Sequence, residues 1–481
     1  MECVTSHGAD VIVIGSGPNG LAAAIEVARA GHSVIVLEGQ ETIGGGARTA
    51  ELTLPGFHHD VCSAVHPFAV ASPFFRKLPL SNFGLKWIEP PAALAHPFDE
   101  EVVVVRRSIC ETAKTLGGDG DRYSSLMNRL TRDWQHLESA VMGPLTWPSH
   151  PIAAIRFSMK ALRSARGVAN ELFSGEPARG LFAGLAAHGM VPLNRSLTAG
   201  TALVLGLLAH AVGWPVPRGG AQAISNALAA YLRALGGTII TGRPVDSLDD
   251  LPPARAILCD LSPKPLLRVA GHRFPPAYRQ NLERYRYGPG VFKMDWALEG
   301  PIPWKAAACS EAATVHLGGS MSEIALSEQQ VWEGTPPEHP YVLLAQPTLF
   351  DASRAPAGKH IAWAYCHVPN GSMSNMTERI ESQIERYAPG FRKLILARRS
   401  APPSEVEKRN PNYVGGDIAS GVLDWRQFFT RPTRMLYSTP AKGIYICSAA
   451  TPPGVGVHGM CGYFAAQRAL RRELQISPAE P

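Results

Sequence analysis

Residues 11–38, VIVIGSGPNGLAAAIEVARAGHSVIVLE, decide the fold. Val11 to Ile14 is an unbroken β-branched run, the pattern of a parallel strand covered on both faces. Gly15-Ser16-Gly17-Pro18-Asn19-Gly20 follows at once, and an alanine-rich segment then reads as a helix stopped at Gly31. A second apolar run ends in Glu38. Strand, glycine turn, helix and strand make the first half of a dinucleotide-binding unit. Gly15 permits the tight turn, Gly17 lets a diphosphate approach the backbone, and Gly20 lets the helix pack on the strand. The diphosphate then meets a helix N-terminus, where free N–H groups and the dipole favour an anion. Glu38, 18 residues past Gly20, is placed to accept hydrogen bonds from the adenosine ribose and to disfavour a 2′-phosphate. This loop alone does not separate NAD from FAD.

The residues after Glu38 do. In EGQETIGGGART (38–49), Gly44 and Gly45 stand six and seven residues past the acid, and Arg48 follows. This stretch resembles the FAD-binding superfamily of amine oxidases, phytoene desaturases and Rab GDP-dissociation inhibitors. The resemblance implies that Gly44 and Gly45 wrap the diphosphate. It also implies that Arg48 supplies a charge-assisted donor to the diphosphate or to nearby flavin atoms.

A second glycine-rich turn lies near the other end, in KGIYICSAATPPGVGVHGMCGYFAAQRALRREL (442–474). It reads as a strand at Ile444 to Cys447, a loop, and a helix from Gly456–Val457 through Leu470. By the resemblance, Gly456, Val457, His458, Gly459 and Met460 face the pyrimidine edge of the flavin. A helix end there stabilises the negative charge that reduction adds. The first loop would thus hold the diphosphate and the last loop the redox ring of one long, non-covalently bound FAD. The wording TPPGVGVHGM, with Ser448-Ala449-Ala450 where many amine oxidases carry Gly-Glu or Gly-Asp, resembles the carotenoid/retinoid oxidoreductase family. The nearest look is to its broad branch with a mitochondrial relative named after pyridine-nucleotide-disulfide oxidoreductases.

The expected fold is α/β: a Rossmann-like FAD-binding domain of glutathione-reductase/amine-oxidase type with a discontinuous α+β substrate domain. The expected boundaries give 1–105, 214–287 and 431–481 to the FAD domain. The helical 106–213 and the mixed 288–430 form the substrate side. WPVPRGGAQAISNALAAYLRALGGTIITGRPVDSL (214–248) resembles the family's return to the FAD domain, which puts the Val245 backbone against adenine. Between the two glycine-rich turns no further G-x-G-x-x-G stands between a strand and a helix, so no separate nicotinamide domain is expected.

Composition sets outer limits. The chain has 481 residues, 45% hydrophobic, and net charge +6 without a Lys/Arg run, so nucleic acid is not an expected partner. Eight cysteines without C-x-x-C spacing fit reduced thiols, and MECVTSHGAD shows neither a signal nor a transit pattern. A cytoplasmic protein is expected. Residues 196–217 carry no charged side chain, yet hold His210, Pro215 and Pro217, and read as a buried helix rather than a spanning one. In 139–170 there are four Lys/Arg (156, 160, 163, 166) and no acid, on one helical face. A solvated face is the plainer reading, and a peripheral membrane contact for loading a lipid is the alternative.

GFHHDVCSAVHP (56–67) gathers His58, His59, Asp60, Cys62 and His66, at spacings that fit no common zinc site, so no metal is expected. His66 and His458 are the candidate catalytic side chains. Flavin N5 is the expected hydride centre, with the protein shaping the pocket. The expected function is FAD-dependent desaturation, saturation or isomerisation of C–C bonds in a hydrophobic, isoprenoid- or polyene-like substrate. Oxygen or a quinone would be the acceptor. The alternatives are an amine or amino-acid oxidase, and a non-catalytic lipid- or protein-binding module of GDP-dissociation-inhibitor type. Sequence leaves the oligomeric state open.

Overall fold

The computed structural model describes residues 8–474 apart from 146 and 149; Cys3 and the opening segment lie outside them. A five-stranded parallel sheet carries the order Ile444–Ile446, Ala256–Cys259, β1 (Val11–Ile14), β2 (Val34–Leu37) and Thr238–Ile240. Val11 pairs with Val34 on one side and with Ala256 on the other. All of β1 is buried, as its unbroken apolar run requires. Val11 and Val13 join the core beneath α1 (Pro18–Arg29), while Ile14 joins a second core with Cys259, Leu266 and Ile446. Helices therefore cover both faces, and the loops at the carboxyl ends of the strands are where a doubly wound sheet binds ligands.

A seven-stranded mixed sheet lies apart. Its order is Ile395–Ala401, Gly290–Leu298, His360–Val368, Val342–Ala345, Ala312–Leu317, Ala92–Pro97 and Val102–Val105. All its pairings are antiparallel except Ala312–Leu317 with Ala92–Pro97. Residues 92–105, expected with the dinucleotide unit, thus pair in the second sheet, where Leu94 sits opposite Thr314. Between 109 and 211 the described elements are all helices, including Gly120–Val141, Pro151–Ala161, Glu176–Ala187 and Thr198–Ala211. Thr198–Ala211 is the charge-free segment. It is 14 residues long and buried on most sides, and no helix among the described residues is long and apolar enough to cross a membrane.

One boundary departs from the sequence reading. The final helix is Met460–Glu473, not a helix from Gly456–Val457. Gly456 (φ 139°) and Gly459 (φ 69°) hold a backbone that an L-residue helix cannot continue, so 456–459 is loop. This helix lies against α1 so closely that a Cβ on Gly462 would sit 1.8 Å from the Asn19 carbonyl oxygen.

Candidate functional site

A cleft of roughly 400 Å³ runs along the carboxyl ends of the parallel strands. One end is bounded by Glu38, Arg243 and Val245, the middle by Gly15, Gly17, Pro18, Asn19, Gly45 and Arg48. The far end is formed by His66, Phe68, Gly456 and Val457. The two glycine-rich turns, more than 400 residues apart in sequence, therefore border one cleft.

Each predicted residue has a defined place. The Glu38 carboxylate accepts from Ser16 N at 2.9 Å, Ser16 Oγ at 2.6 Å and Gln40 N at 2.9 Å, which fixes it at the cleft edge. α1 begins after Gly17 with no side-chain cap and with Pro18 in its first turn, so its positive end is open to a ligand. Ser16, Gly20 and Gly44 lie one layer back. Ser16 ties Glu38 to Gly44, whose N–H donates to the Ser16 carbonyl at 3.1 Å. A Cβ on Gly20 would stand 2.0 Å from the Gly15 carbonyl oxygen, so only glycine allows the loop to close on the helix. Arg48 is buried and donates from Nε to the Gly45 carbonyl and from Nη2 to the Arg409 carbonyl, both at 2.8 Å.

The two candidate histidines part company. His66 lines the cleft, with Nε2 buried and without a partner among the described residues. Burial pushes its imidazole down to about 4, against the opposing pull of Asp60, so it is neutral at ordinary pH. His458 does not line the cleft. Its Nδ1 accepts from Met460 N at 3.0 Å, and its Nε2 lies 3.2 Å from the Gly454 carbonyl. Both nitrogens are thus spent on the loop, and with Gly459 and Met460 it shapes the turn from behind, because the helix begins later than the sequence suggested.

Four unpartnered buried polar atoms belong to residues of the cleft: Asn19 Oδ1, Ser63 Oγ, His66 Nε2 and Arg409 Nη2. Buried polar groups are normally satisfied, so their gathering here marks a place built for a polar ligand. The cleft thus offers a carboxylate at Glu38, an open helix terminus at α1 and apolar contacts at Val457 and Phe68, a set of groups that suits a dinucleotide.

Several site residues were missed from sequence. Asp260, at the end of Ala256–Cys259, accepts from Gly20 N at 3.1 Å beneath the glycine loop. Burial and the nearby Glu38 raise its carboxyl to about 7, against the Gly20 hydrogen bond. Asn412 clasps the same strand end: its Oδ1 accepts from Ser262 N at 2.7 Å and its Nδ2 donates to the Asp260 carbonyl at 2.8 Å. Beside Gly45 and Arg48 a recess opens between Cys62, Val291, Lys293, Tyr365, Arg409 and Tyr413. Lys293 is only 4% exposed; its Nζ lies 2.5 Å from Asp295 Oδ1, and His59 Nδ1 lies 3.6 Å from the same oxygen. Burial drives His59 down to about 2, with the neighbouring Lys293 and Arg354 charges adding to the effect. His59 is therefore neutral, and Asp60, its neighbour, pairs with buried Arg354 at 2.9 Å. The histidine-rich stretch 56–67 thus serves as an internal polar frame. The signal for Lys293 was present in VFKMDW: two charges, two residues apart, share one face of an otherwise apolar strand.

Comparison with known proteins agrees with this geometry. The family model for the NAD(P)-binding Rossmann-like domain matches residues 13–78. The chain is similar to pyridine nucleotide-disulfide oxidoreductase domain-containing protein 2 of Rattus norvegicus, 24% identical, over 96% of this chain and 93% of the relative. A shorter similarity, 27% identical, links 50% of the chain to 42% of the all-trans-retinol 13,14-reductase of Danio rerio. A solved putrescine oxidase bound to putrescine superposes with a TM-score of 0.63 at 19% identity, over 97% of this chain and 99% of that one. The chain therefore carries a Rossmann-like dinucleotide-binding domain, and its fold, a parallel sheet with a separate mixed sheet, is similar to that of putrescine oxidase.

Proposed function

We propose that the protein is an FAD-dependent oxidoreductase that changes the oxidation level of C–C bonds in a hydrophobic, polyene- or isoprenoid-like substrate. The observation that carries the cofactor is the single cleft bordered by both glycine-rich turns, with unpartnered polar atoms along its length. Glu38, the α1 terminus, Gly45 and Arg48 would hold the dinucleotide, and Gly456–Val457 would back its ring. Bound there, FAD would supply the two-electron acceptor for a substrate carbon, with oxygen or a quinone as the oxidant that restores it; in the reducing direction it would be the donor, and an external two-electron reductant would have to restore it.

The chain's own residues shape the chemistry. Phe68, Val65 and Val457 give the ring end an apolar wall that excludes water. Neutral His66 can hydrogen-bond a polar group in the cleft through its unpartnered Nε2 without bringing a charge into it. The hydrophobic substrate class is supported by that wall and by the similarity to a retinol reductase.

An amine or amino-acid oxidase is the second reading, favoured by the putrescine oxidase fold. The recess beside Gly45 weighs against a cationic amine, because Arg48, Lys293 and Arg409 line it and no carboxylate does. Release of peroxide with a panel of amines, and none with polyenes, would reverse this order.

The test is the absorbance spectrum of protein purified without added cofactor, repeated after denaturation and filtration. Flavin bands with equimolar FAD released are the expected result. A colourless protein that also refuses added FAD would sink the oxidoreductase reading and favour a binding module of the GDP-dissociation-inhibitor type.

A further inference from the structure

The helix Pro151–Ala161 and the segment before it carry an unusual surface. Trp147 is 91% exposed, Ile152 73%, and Ile155 and Met159 62% each; Leu145 and Leu162 are exposed as well. Ile152, Ile155, Met159 and Leu162 recur at spacings of three, four and three, so they form one outward stripe on a helix. The opposite face, with Ala153, Phe157 and Ala161, packs inward. Contiguous exposed apolar surface on a soluble domain marks an interaction site.

Charge says what covers it. Arg156, Lys160 and Arg163 flank the stripe, while Arg166 falls in the next helix, Ala165–Leu172, so the four cations do not share one helical face; no acidic residue occurs between 139 and 170. Arg156 pairs with Asp133 at 3.2 Å, while Lys160 and Arg163 share Glu171 at 3.4 and 2.6 Å. Three cations thus meet two carboxylates, and the face keeps a positive excess. Long basic side chains beside an apolar stripe, with a tryptophan at its edge, match the boundary between anionic headgroups and acyl chains. The helix lies on Thr198–Ala211, where Leu197 N donates to the Leu162 carbonyl and Ala199 N to the Arg163 carbonyl, both near the close approach of Gly200 to Ala161. Thr198–Ala211 in turn packs against the short helix Pro67–Ala71, which starts beside His66 at the ring end of the cleft. The stripe is therefore coupled to the redox end through one intervening helix.

We propose that the helix Pro151–Ala161 with Leu162, Arg163, Leu145 and Trp147 forms a monotopic docking surface for an anionic lipid bilayer, seated in the interface without spanning it. The proposal stands apart from the redox reading and is tested without turnover. Wild-type protein is expected to float with vesicles of phosphatidylcholine mixed with phosphatidylglycerol. Binding is expected to weaken as salt approaches about 1 M, where screening acts within about 3 Å. The variant Ile152→Asp/Ile155→Asp/Met159→Asp is expected to lose binding about tenfold or more with its melting temperature unchanged, since only exposed side chains change. Arg156→Gln/Lys160→Gln/Arg163→Gln keeps the apolar stripe and is expected to lose the preference for phosphatidylglycerol. Wild-type protein that fails to float with the mixed vesicles overturns the proposal, as does a triple Asp variant that floats equally well. Sedimentation velocity without lipid tests the other occupant. A dimer abolished by the same Asp substitutions, with no flotation, assigns the face to a second copy and also overturns it.

Discussion

Asp260 sits directly under the glycine loop, and its ionisation bears on anything anionic bound above. A Cβ on Gly17 would lie 2.7 Å from its Oδ2, a measure of how closely the carboxyl approaches the loop. Burial raises this carboxyl to about 7, so the folded protein resists its ionisation. The sign follows: its contribution to stability is full below the ordinary carboxylate range and is lost as pH rises toward about 7. Asp260→Asn keeps the shape and removes the charge. FAD affinity of the wild type, followed by fluorescence titration, is expected to fall several-fold to about tenfold between about pH 6 and pH 8, and that of the variant to stay level. An equally steep profile in both proteins would clear Asp260 of the effect. Lys293 poses the opposite case, a buried cation whose removal strands an acid. Lys293→Met leaves Asp295 without its partner beside neutral His59 and is expected to cost about 3–5 kcal/mol in denaturant unfolding. Lys293→Met/Asp295→Leu is expected to regain most of that loss. Asp260 could not be assigned from motif spacing, because its contact with Gly20 joins segments remote in sequence, whereas the Lys293–Asp295 pair stands two residues apart on one strand.

Among the elements, α1 and the final helix Met460–Glu473 set the width of the cleft floor. Their contact depends on Gly462, whose missing Cβ leaves room for Asn19, itself a cleft residue. Gly462→Ala is expected to overpack this contact by about 1–3 kcal/mol and to lower FAD affinity with it. A melting curve and a fluorescence titration measure the two effects. A loss of stability with wild-type affinity would separate the helix contact from the cofactor. The same helix shows what sequence conveys and what it withholds. GSGPNG declared its own strand, turn and helix, because each glycine there meets a local steric demand. GVGVHGM did not declare where its helix starts. That boundary follows from the left-handed backbone at Gly459 and from the His458 ring accepting the Met460 N–H, and both depend on the folded loop. His458 was consequently assigned to the chemistry, whereas the structure engages it in the turn. His66 reaches the cleft, as its position before Pro67 allowed but did not require.

At the scale of the whole molecule, chain segments far apart in sequence are held around one cleft. The parallel sheet draws on 11–37, 238–259 and 444–446, and the mixed sheet on 92–105 and 290–401. The first sheet was legible because its leading strands and loop are contiguous. The second was legible in outline only, since the pairing of 92–97 with 312–317 joins strands more than 200 residues apart. Residues 409–413 return from the mixed sheet and fasten onto the dinucleotide unit. Arg409 receives Arg48, and Asn412 bridges Asp260 and Ser262. A ligand filling the cleft should therefore order several distant segments at once. On addition of FAD to cofactor-free protein, hydrogen exchange is expected to slow together in 15–20, 44–48, 409–413 and 448–459. The helix Thr377–Tyr387, packed behind the mixed sheet, is expected to stay unchanged. Binding that protects only N without U also predicts a higher melting temperature as FAD is added. Protection confined to 15–20 and 44–48 would mean that the far loop does not touch the cofactor. The chain would then hold a nucleotide by its diphosphate alone, and the redox ring would need another place in the molecule.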